Sequence, residues 1–257
     1  MLGGMIGDIV GSIYEWHNIK TKDFILFENR NFFTDDTVLT AATAKALMTG
    51  GDYTQAYQDF ARRYPRRGYG GNFQRWIYID NPEPYNSWGN GSAMRVSPVG
   101  FAFDTVEEVL VEAQRSAAVT HNHPEGVKGA QSTALAILMA RQGASQEDIR
   151  SEISQRFDYN LDRTLAEIRP HYSFDVSCQG SVPEAIIAFL ESISFEDAIR
   201  NAISIGGDSD TIACVTGSIA EAFFGIPKPL TLQGRAYLPD EFLQIIDDFH
   251  TWRQEKK

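Results

Sequence analysis

The sequence predicts an all-α fold in one compact domain that spans residues 1–257. Apolar residues recur at the three- and four-residue spacing of amphipathic helices along most of the chain, whereas strand-like alternation is almost absent. No linker or internal repeat divides the 257 residues, a length that one hydrophobic core can serve. Hydrophobic residues make up 43% and charged residues 22%, which is typical of globular proteins and argues against disorder.

Seven helices are predicted from their apolar spacing and from the residues at their ends. Residues 37–48 end at a glycine pair, which is a helix-stop signal, and Ser145 with Asp148 has the form of a capped start. Small residues recur inside the helices and allow close helix–helix approach. The predicted helices cover residues 37–48, 105–119, 129–141, 145–156, 183–192, 195–205 and 211–224.

Three segments depart from helical periodicity. Residues 66–94 are rich in Gly, Asn, Pro and aromatic residues, so we expect a long irregular excursion. Such segments in compact domains are usually functional or disordered, and the aromatic content argues against disorder. We therefore expect residues 66–85 of this excursion to border a functional cleft. Residues 171–180 are a second irregular connection, and residues 24–27 are the best strand candidate.

Charge restricts the classes of partner. Asp and Glu outnumber Lys and Arg by 34 to 23, giving a formal net charge of -11. Nucleic acids and anionic membranes reward clustered positive charge, so we expect neither as a partner. The arginines Arg62, Arg63, Arg66 and Arg67 form one basic cluster that could meet a phosphate, although a solvated helix end or loop is its commoner meaning.

Cysteine use and hydropathy predict the compartment. Cys178 and Cys214 are far apart in sequence, so a disulfide scaffold is excluded and a reducing compartment fits. The first twelve residues lack the positive region of a signal peptide. The apolar stretch at residues 212–226 is shorter than the roughly 20 residues that cross a bilayer. We expect a soluble, cytoplasmic protein, and a monomer because no apolar helix stripe is left over.

Three acidic clusters are the candidate reactive groups. Asp8 and Glu15 are two turns apart near the first helix, so both could face the same way. Residues 34–37 (TDDT) open the next helix, and residues 206–211 (GGDSDT) open the last Ala-rich helix. Each cluster offers more carboxylates than the local helix needs.

Helix capping explains only part of these clusters. Thr34 or Asp208 could cap a helix with one side-chain oxygen, but the remaining acids are surplus to that role. Adjacent carboxylates such as Asp35 and Asp36 repel one another unless a cation lies between them. Oxygen donors without nearby Cys or His suit Mg²⁺, Mn²⁺ or Ca²⁺ rather than Zn²⁺. Two ions could share a carboxylate, so the residues alone indicate a metal-assisted hydrolase.

Four motifs together resemble the ADP-ribosylglycohydrolase family, the relatives of dinitrogenase-reductase-activating glycohydrolase. They are GDIVGSIYE from Gly7, TDDT from Thr34, GNGSAMR from Gly89 and GGDSDT from Gly206, in that order. The resemblance implies an all-α orthogonal helical domain with two Mg²⁺ or Mn²⁺ ions at the base of a cleft. One ion would be held by Thr34, Asp35, Asp36 and Asp210, and the other by Asp208, Asp210 and Thr211, with Asp210 bridging.

The resemblance also implies roles for the other acids. Glu15 matches the family's movable acidic residue beside the substrate ribose. Asp8 matches the GD position, where helix packing or support of the ligands is expected. The carboxylate that moves a proton during hydrolysis would be Glu15 or Asp36, and both remain open.

Substrate contacts are expected in the loop NSWGNG at residues 86–91, which aligns with the family's Gly-rich phosphate and ribose loop. Glycines let backbone N–H groups approach a diphosphate, and Ser92 follows where relatives often have a second Gly. His121 matches a Thr–His pair near the adenosine, although a packed histidine is equally typical. The residues expected to bind substrate are Ser87, Trp88, Gly89, Asn90, Gly91 and His121.

Three functions follow from the resemblance. The first is hydrolysis at the anomeric carbon of the distal ribose, which would release ADP-ribose from a modified arginine or serine side chain. The second is hydrolysis of small metabolites such as O-acetyl-ADP-ribose. The third is a silent binding or structural relative, against which the intact acidic set argues. Cys178 with His171 is an alternative nucleophilic pair, but a buried, inert cysteine is commoner.

Overall fold

The all-α prediction is confirmed by the computed structural model, which describes residues 1–256 and contains no β-strand in that range. The nearest approach to a sheet is an isolated bridge between Gly89 and Ser177. The helices are α1 (Leu2–Gly11), α2 (Asp35–Thr49), α3 (Tyr53–Arg63), α4 (Gly71–Trp76), α5 (Gly91–Met94), α6 (Ser97–Ala102), α7 (Val106–Ala118), α8 (Pro124–Arg141), α9 (Gln146–Phe157), α10 (Leu165–Ile168), α11 (Cys178–Leu190), α12 (Phe195–Ile205), α13 (Ser209–Phe224), α14 (Lys228–Arg235) and α15 (Asp240–Glu255).

Helices α1 and α13 lie in backbone contact, and glycine makes this possible. Gly7 and Gly11 are four residues apart and share one face of α1. A Cβ on Gly7 would lie 2.0 Å from the carbonyl oxygen of Ala213, and one on Gly11 would lie 2.4 Å from the Cα of Asp210. No larger residue fits without separating the helices. The contact carries Asp8 of α1 to the beginning of α13.

All seven predicted helices are present, but two of them begin five residues earlier than predicted. Helix α8 begins at Pro124 because the His123 side chain accepts a hydrogen bond from the Glu125 N–H. Helix α11 begins at Cys178, where Ser177 is the N-cap, so Pro183 lies inside the helix rather than at its start. The irregular connection predicted at residues 171–180 is correspondingly shorter.

The strand predicted at residues 24–27 is wrong. The backbone oxygens that a neighbouring strand would pair are instead bound by Arg200, which donates to the carbonyls of Lys22 and Phe24 at 2.9 and 2.8 Å. The Phe24 ring packs edge-on against Tyr14, with the ring centroids 5.2 Å apart. The apolar spacing therefore reflects packing of an extended segment against the helices.

The excursion predicted at residues 66–94 is only partly irregular, because it contains α4 and α5. Its aromatic residues order it: the rings of Phe73 and Trp76 stack with centroids 5.5 Å apart, and both side chains are buried. An ordered excursion can present residues to a cleft at fixed positions.

The four-arginine cluster does not form one basic surface. Arg63 pairs with Glu241, and Arg67 donates to the Phe33 carbonyl at 3.1 Å while its guanidinium lies 3.8 Å from the centre of that ring. Arg62 donates to a backbone carbonyl in the following loop. These contacts of three of the four arginines fit the solvated-helix-end interpretation.

The two cysteines are buried free thiols. The Cys178 thiol donates to the Gly89 carbonyl at 3.0 Å, whereas His171 is exposed, which fits the inert-cysteine interpretation. No helix within residues 1–256 combines the length and hydropathy that a bilayer crossing requires.

Candidate active site

A cleft of about 460 Å³ opens where the N-terminal ends of α2 and α13 meet. Every predicted site residue except Thr34 lines it. Those residues are Glu15, Asp35, Asp36, Ser87, Trp88, Gly89, Asn90, Gly91, His121, Asp208, Asp210 and Thr211. Residues that lie as far as 196 positions apart in sequence, Glu15 and Thr211, therefore line one space, because α1, α2 and α13 converge there.

Asp210 belongs to two groups of three carboxylates. Oxygen atoms of Asp8, Asp36 and Asp210 lie within 4.8 Å of one another, and so do oxygen atoms of Glu15, Asp208 and Asp210. Each group could hold a cation, and Asp210 is placed to serve both. This arrangement gives the predicted bridging role a geometric basis.

Asp8 supports the beginning of α2. Its carboxylate accepts hydrogen bonds from the backbone N–H and the hydroxyl of Thr34, at 2.9 and 2.7 Å, and from the N–H of Thr37 at 3.1 Å. The Thr37 hydroxyl also donates to it. The supporting role expected for Asp8 matches these contacts, although its position in the first carboxylate group was not foreseen.

Capping accounts for Thr34 but not for the aspartates. The Thr34 hydroxyl accepts from the Asp36 N–H at 3.4 Å. Asp208 occupies the N-cap position of α13 without making a side-chain cap, and its carboxylate instead accepts from the Asn90 amide at 2.7 Å. Asp35 lines the cleft wall but belongs to neither group of three among the described residues.

One oxygen of Asp36 gives the strongest support for a cation at this site. The side chain is 1% exposed, and its Oδ1 atom has no hydrogen-bond partner among the described residues. A buried, unpaired carboxylate oxygen is costly unless a positive charge compensates it. The Thr211 hydroxyl lies 3.3 Å from Asp36 Oδ2, and oxygen donors of this kind fit a hard divalent cation.

Burial and mutual repulsion raise the pKa values of the acidic set. Burial first, and then the charges of its neighbours, raise the pKa of Asp36 and of Asp210 well above the ordinary range. Burial raises the pKa of Asp8 and of Asp208 to about 6. A concentration of carboxylates that resist ionisation is typical of functional sites.

Glu15 lies at the cleft but not on α1, which ends at Gly11. The prediction that Asp8 and Glu15 share a helix face is therefore wrong, and a turn after the helix brings Glu15 to Asp210 instead. The side chain is partly exposed. Burial and then the charge of Asp210 raise the pKa of Glu15 to about 7.

His121 is a neutral ring held by Thr120 and, through it, by Arg95. Arg95, buried over the ring of Tyr57, donates to the Thr120 hydroxyl at 2.7 Å, and that hydroxyl lies 2.7 Å from His121 Nδ1. Burial and then Arg95 lower the pKa of His121 well below its ordinary value, so the ring is neutral, and its Nε2 atom lies beside Gly91.

Other cleft residues were predicted only as part of a segment or not at all. Gly68 and Phe73 come from the excursion that was expected to border the cleft. Phe174 and Val176 come from the second irregular connection and had no motif to mark them. Trp88 is 48% exposed, so its indole is free to contact a ligand. Aromatic surfaces therefore flank the acidic base of the cleft.

The metal-free protein is expected to lose stability as the pH rises from 5 to 8. The pKa values of Asp8, Asp208 and Glu15 are raised to about 6, 6 and 7, so the folded state holds protons that the unfolded chain releases near pH 4. In EDTA, the melting temperature should fall by about 5 °C or more across this range. Adding Mn²⁺ at pH 8 should restore it. Calorimetry in which EDTA and Mn²⁺ samples show the same pH profile would contradict this expectation.

The fold and this site define a class: an all-α protein with a cleft whose base can hold hard divalent cations. The family model for ADP-ribosylglycohydrolase matches residues 1–256, and the chain belongs to that family. It is a glycohydrolase, as the four sequence motifs implied.

Two curated relatives and one solved structure illustrate the similarity. ADP-ribosylhydrolase ARH3 of Homo sapiens is 28% identical, with 89% of this chain and 85% of the relative covered. ADP-ribosylarginine hydrolase Tri1 of Pseudomonas putida (strain GB-1) is 25% identical, with 88% and 70% covered. A structure described as an ADP-ribosylglycohydrolase-related protein complex aligns with a TM-score of 0.70 at 24% identity, covering 98% of this chain and 93% of that one. The last similarity supports the fold.

Proposed function

We propose that this protein hydrolyses the glycosidic bond between ADP-ribose and a modified arginine or serine side chain, releasing ADP-ribose. The observation that carries the proposal is the position of Asp210 in two carboxylate groups at the base of a cleft. The family membership supports the ADP-ribosyl part of the substrate. The name of the relative Tri1, an ADP-ribosylarginine hydrolase, supports including the arginine linkage.

The acidic residues would hold two divalent cations, Mg²⁺ or Mn²⁺. We assign Asp36 and Asp210, with Thr34 and Asp35, to one ion, and Asp208, Asp210 and Thr211 to the other. When bound, such ions lower the pKa of a water molecule and orient hydroxyl groups. The unpaired Oδ1 of Asp36 and the shared position of Asp210 support this assignment.

Glu15 is the better candidate for the residue that moves a proton. Asp36 is almost fully buried within the first carboxylate group and lies beside the Thr211 hydroxyl. Glu15 is partly exposed, so it can exchange a proton with solvent between turnovers. Its pKa of about 7 is close to the value at which a general acid or base works at neutral pH. We assign proton transfer to Glu15 and ligand binding to Asp36.

The loop at residues 86–91 and His121 would hold the ADP portion. The neutral His121 places an uncharged polar ring nitrogen, Nε2, in the cleft beside Gly91. Asn90 is oriented by its bond to Asp208, so the loop and the acidic base are directly linked. The exposed indole of Trp88 offers a face on which a base or sugar can stack. These features support binding of a nucleotide whose distal ribose reaches the carboxylates.

The test uses arginine-linked and serine-linked ADP-ribosyl peptides, each incubated with the protein in Mg²⁺, Mn²⁺ or EDTA. Released ADP-ribose is quantified by mass spectrometry. Metal-dependent release from at least one peptide is expected. If neither peptide releases ADP-ribose but the protein still binds ADP-ribose in a metal-dependent way, the substrate would be a small ADP-ribosyl conjugate rather than a modified protein. Neither release nor binding would contradict the proposal and favour a silent relative.

A further inference from the structure

The segment that carries Glu15 is held in place by residues that do not themselves face the cleft. We propose that Asn18 is a positioning residue that holds Glu15 in register with the turn at Gly207. The inference rests on the proposed function, because it concerns the same proton-transfer step. It predicts that activity depends on a side chain that contacts neither substrate nor cation.

The Asn18 side chain joins two backbone segments. Its amide nitrogen lies 2.7 Å from the carbonyl oxygen of Tyr14, 3.0 Å from that of Glu15 and 2.9 Å from that of Gly207. Its Oδ1 atom accepts from the Gly207 N–H at 2.8 Å. One amide therefore bonds the backbone of the catalytic candidate and both polar groups of the glycine that precedes Asp208.

The turn at Gly207 has a reason to need this support. Gly206 and Gly207 have φ angles of 73° and 76°, in the left-handed region that favours glycine. This turn leads directly into α13, so its position determines where Asp208, the N-cap, and Asp210, in the first turn, lie. Because Asn18 binds both polar backbone groups of Gly207, movement of the turn and movement of Glu15 are coupled.

Two neighbouring contacts hold the same segment. The Lys20 ammonium donates to the backbone carbonyls of Tyr172 and Ile205. The Trp16 ring stacks on Phe174, with centroids 5.1 Å apart and an interplanar angle of 24°. These contacts attach residues 16–20 to the connection before α11, which contains Tyr172 and Phe174, and to the end of α12 at Ile205. Asn18 is the member of this set that bonds directly to the Glu15 backbone.

The resulting arrangement qualifies one expectation from the family resemblance. The matching acidic residue was expected to be movable, whereas four hydrogen-bond contacts of one side chain fix the backbone on both sides of Glu15 here. The Glu15 carboxylate is thereby held near Asp208 and Asp210 before the substrate binds. Enzymes gain catalytic rate when reacting groups are already positioned in this way.

The first test is a double-mutant cycle. Asn18→Ala should lower kcat about 10- to 100-fold, as loss of a supporting hydrogen bond typically does at such sites, with KM changed less than threefold. Asn18→Asp should not rescue it, because the carboxylate has no donor for the three carbonyls. In a Glu15→Gln background, Asn18→Ala should cost less than about twofold, since interacting residues are non-additive. An equal loss in both backgrounds would overturn the proposal.

The second measurement does not require turnover. Hydrogen exchange of the peptide around residues 12–20, followed by mass spectrometry, should be faster in Asn18→Ala than in the wild type. His17→Ala is the matched control, since His17 is exposed and the described residues give its imidazole no hydrogen-bond partner; its exchange should be unchanged. Unchanged exchange in Asn18→Ala would overturn the proposal. A wild-type protein that cleaves no ADP-ribosyl substrate would instead contradict the proposed function, and exchange would still decide whether Asn18 holds the segment.

Discussion

Replacing Asp210 with asparagine is expected to abolish hydrolysis. Asp210 supplies oxygen to both carboxylate groups, so its loss should impair both cation sites at once. Loss of residues that merely support metal ligands costs about 10- to 100-fold, so loss of a shared ligand should exceed about 100-fold in kcat/KM. Asparagine has nearly the same shape, so helix content should be retained. Initial rates and circular dichroism on the same preparations check both statements.

The same variant should behave differently without metal. The charge of Asp210 raises the pKa of Glu15, Asp35 and Asp36, which shows that the carboxylates repel one another in the folded state. Removing one charge should therefore raise the melting temperature in EDTA at pH 8, whereas added Mn²⁺ should no longer stabilise the protein.

The matched control for this variant is Asp52→Asn. Asp52 caps α3 at an exposed position, and asparagine is an equally good cap, so activity and metal stabilisation should be unchanged. If Asp210→Asn kept wild-type activity, the account of a shared carboxylate would be wrong.

Replacing Glu15 with glutamine is expected to slow turnover far more than it weakens binding. The variant keeps the side-chain length but cannot transfer a proton, so kcat should fall by about 10²- to 10⁴-fold. The affinity for ADP-ribose, measured by calorimetry in the presence of metal, should change less than threefold. The pH dependence of the rate that arises from ionisation of Glu15 should be absent from the residual activity of the variant.

The control for this variant is Glu107→Gln, at an exposed position in the first turn of α7, which should match the wild type in rate and affinity. If the Glu15→Gln variant lost affinity for ADP-ribose while keeping kcat, Glu15 would be a substrate-binding residue and not the proton-transfer residue. Proton transfer would then be assigned to Asp36.

Local sequence rules predicted the helices well where the end signals lie next to the helix. Residues 195–205 were predicted with their observed bounds, and Ser145 with Asp148 forms the expected capping box. The starts of α8 and α11 were missed because a histidine cap was not anticipated and because Pro183 was taken as a helix start. The strand at residues 24–27 was wrong because its backbone acceptors are bound by an arginine from α12, a contact that sequence spacing cannot reveal.

The composition of the site was predictable to a greater extent than its geometry. The acidic motifs are recognisable in the sequence, and residues from all of them line the cleft as expected. Contacts between distant segments create the hydrogen bonds from Arg95 through Thr120 to His121, and those by which Asn18 holds the Glu15 segment. The position of Glu15 after the end of α1 likewise depends on the turn at residues 12–18 rather than on helical periodicity. These three features could be found only from the tertiary structure.

The most direct test of the account is anomalous X-ray scattering from crystals of the wild-type protein soaked in Mn²⁺. We expect two anomalous peaks about 3.5–4 Å apart, the separation typical of paired sites, with the Asp210 carboxylate between them. A single peak, or none at the ends of α2 and α13, would contradict the two-cation site on which the proposed hydrolysis depends.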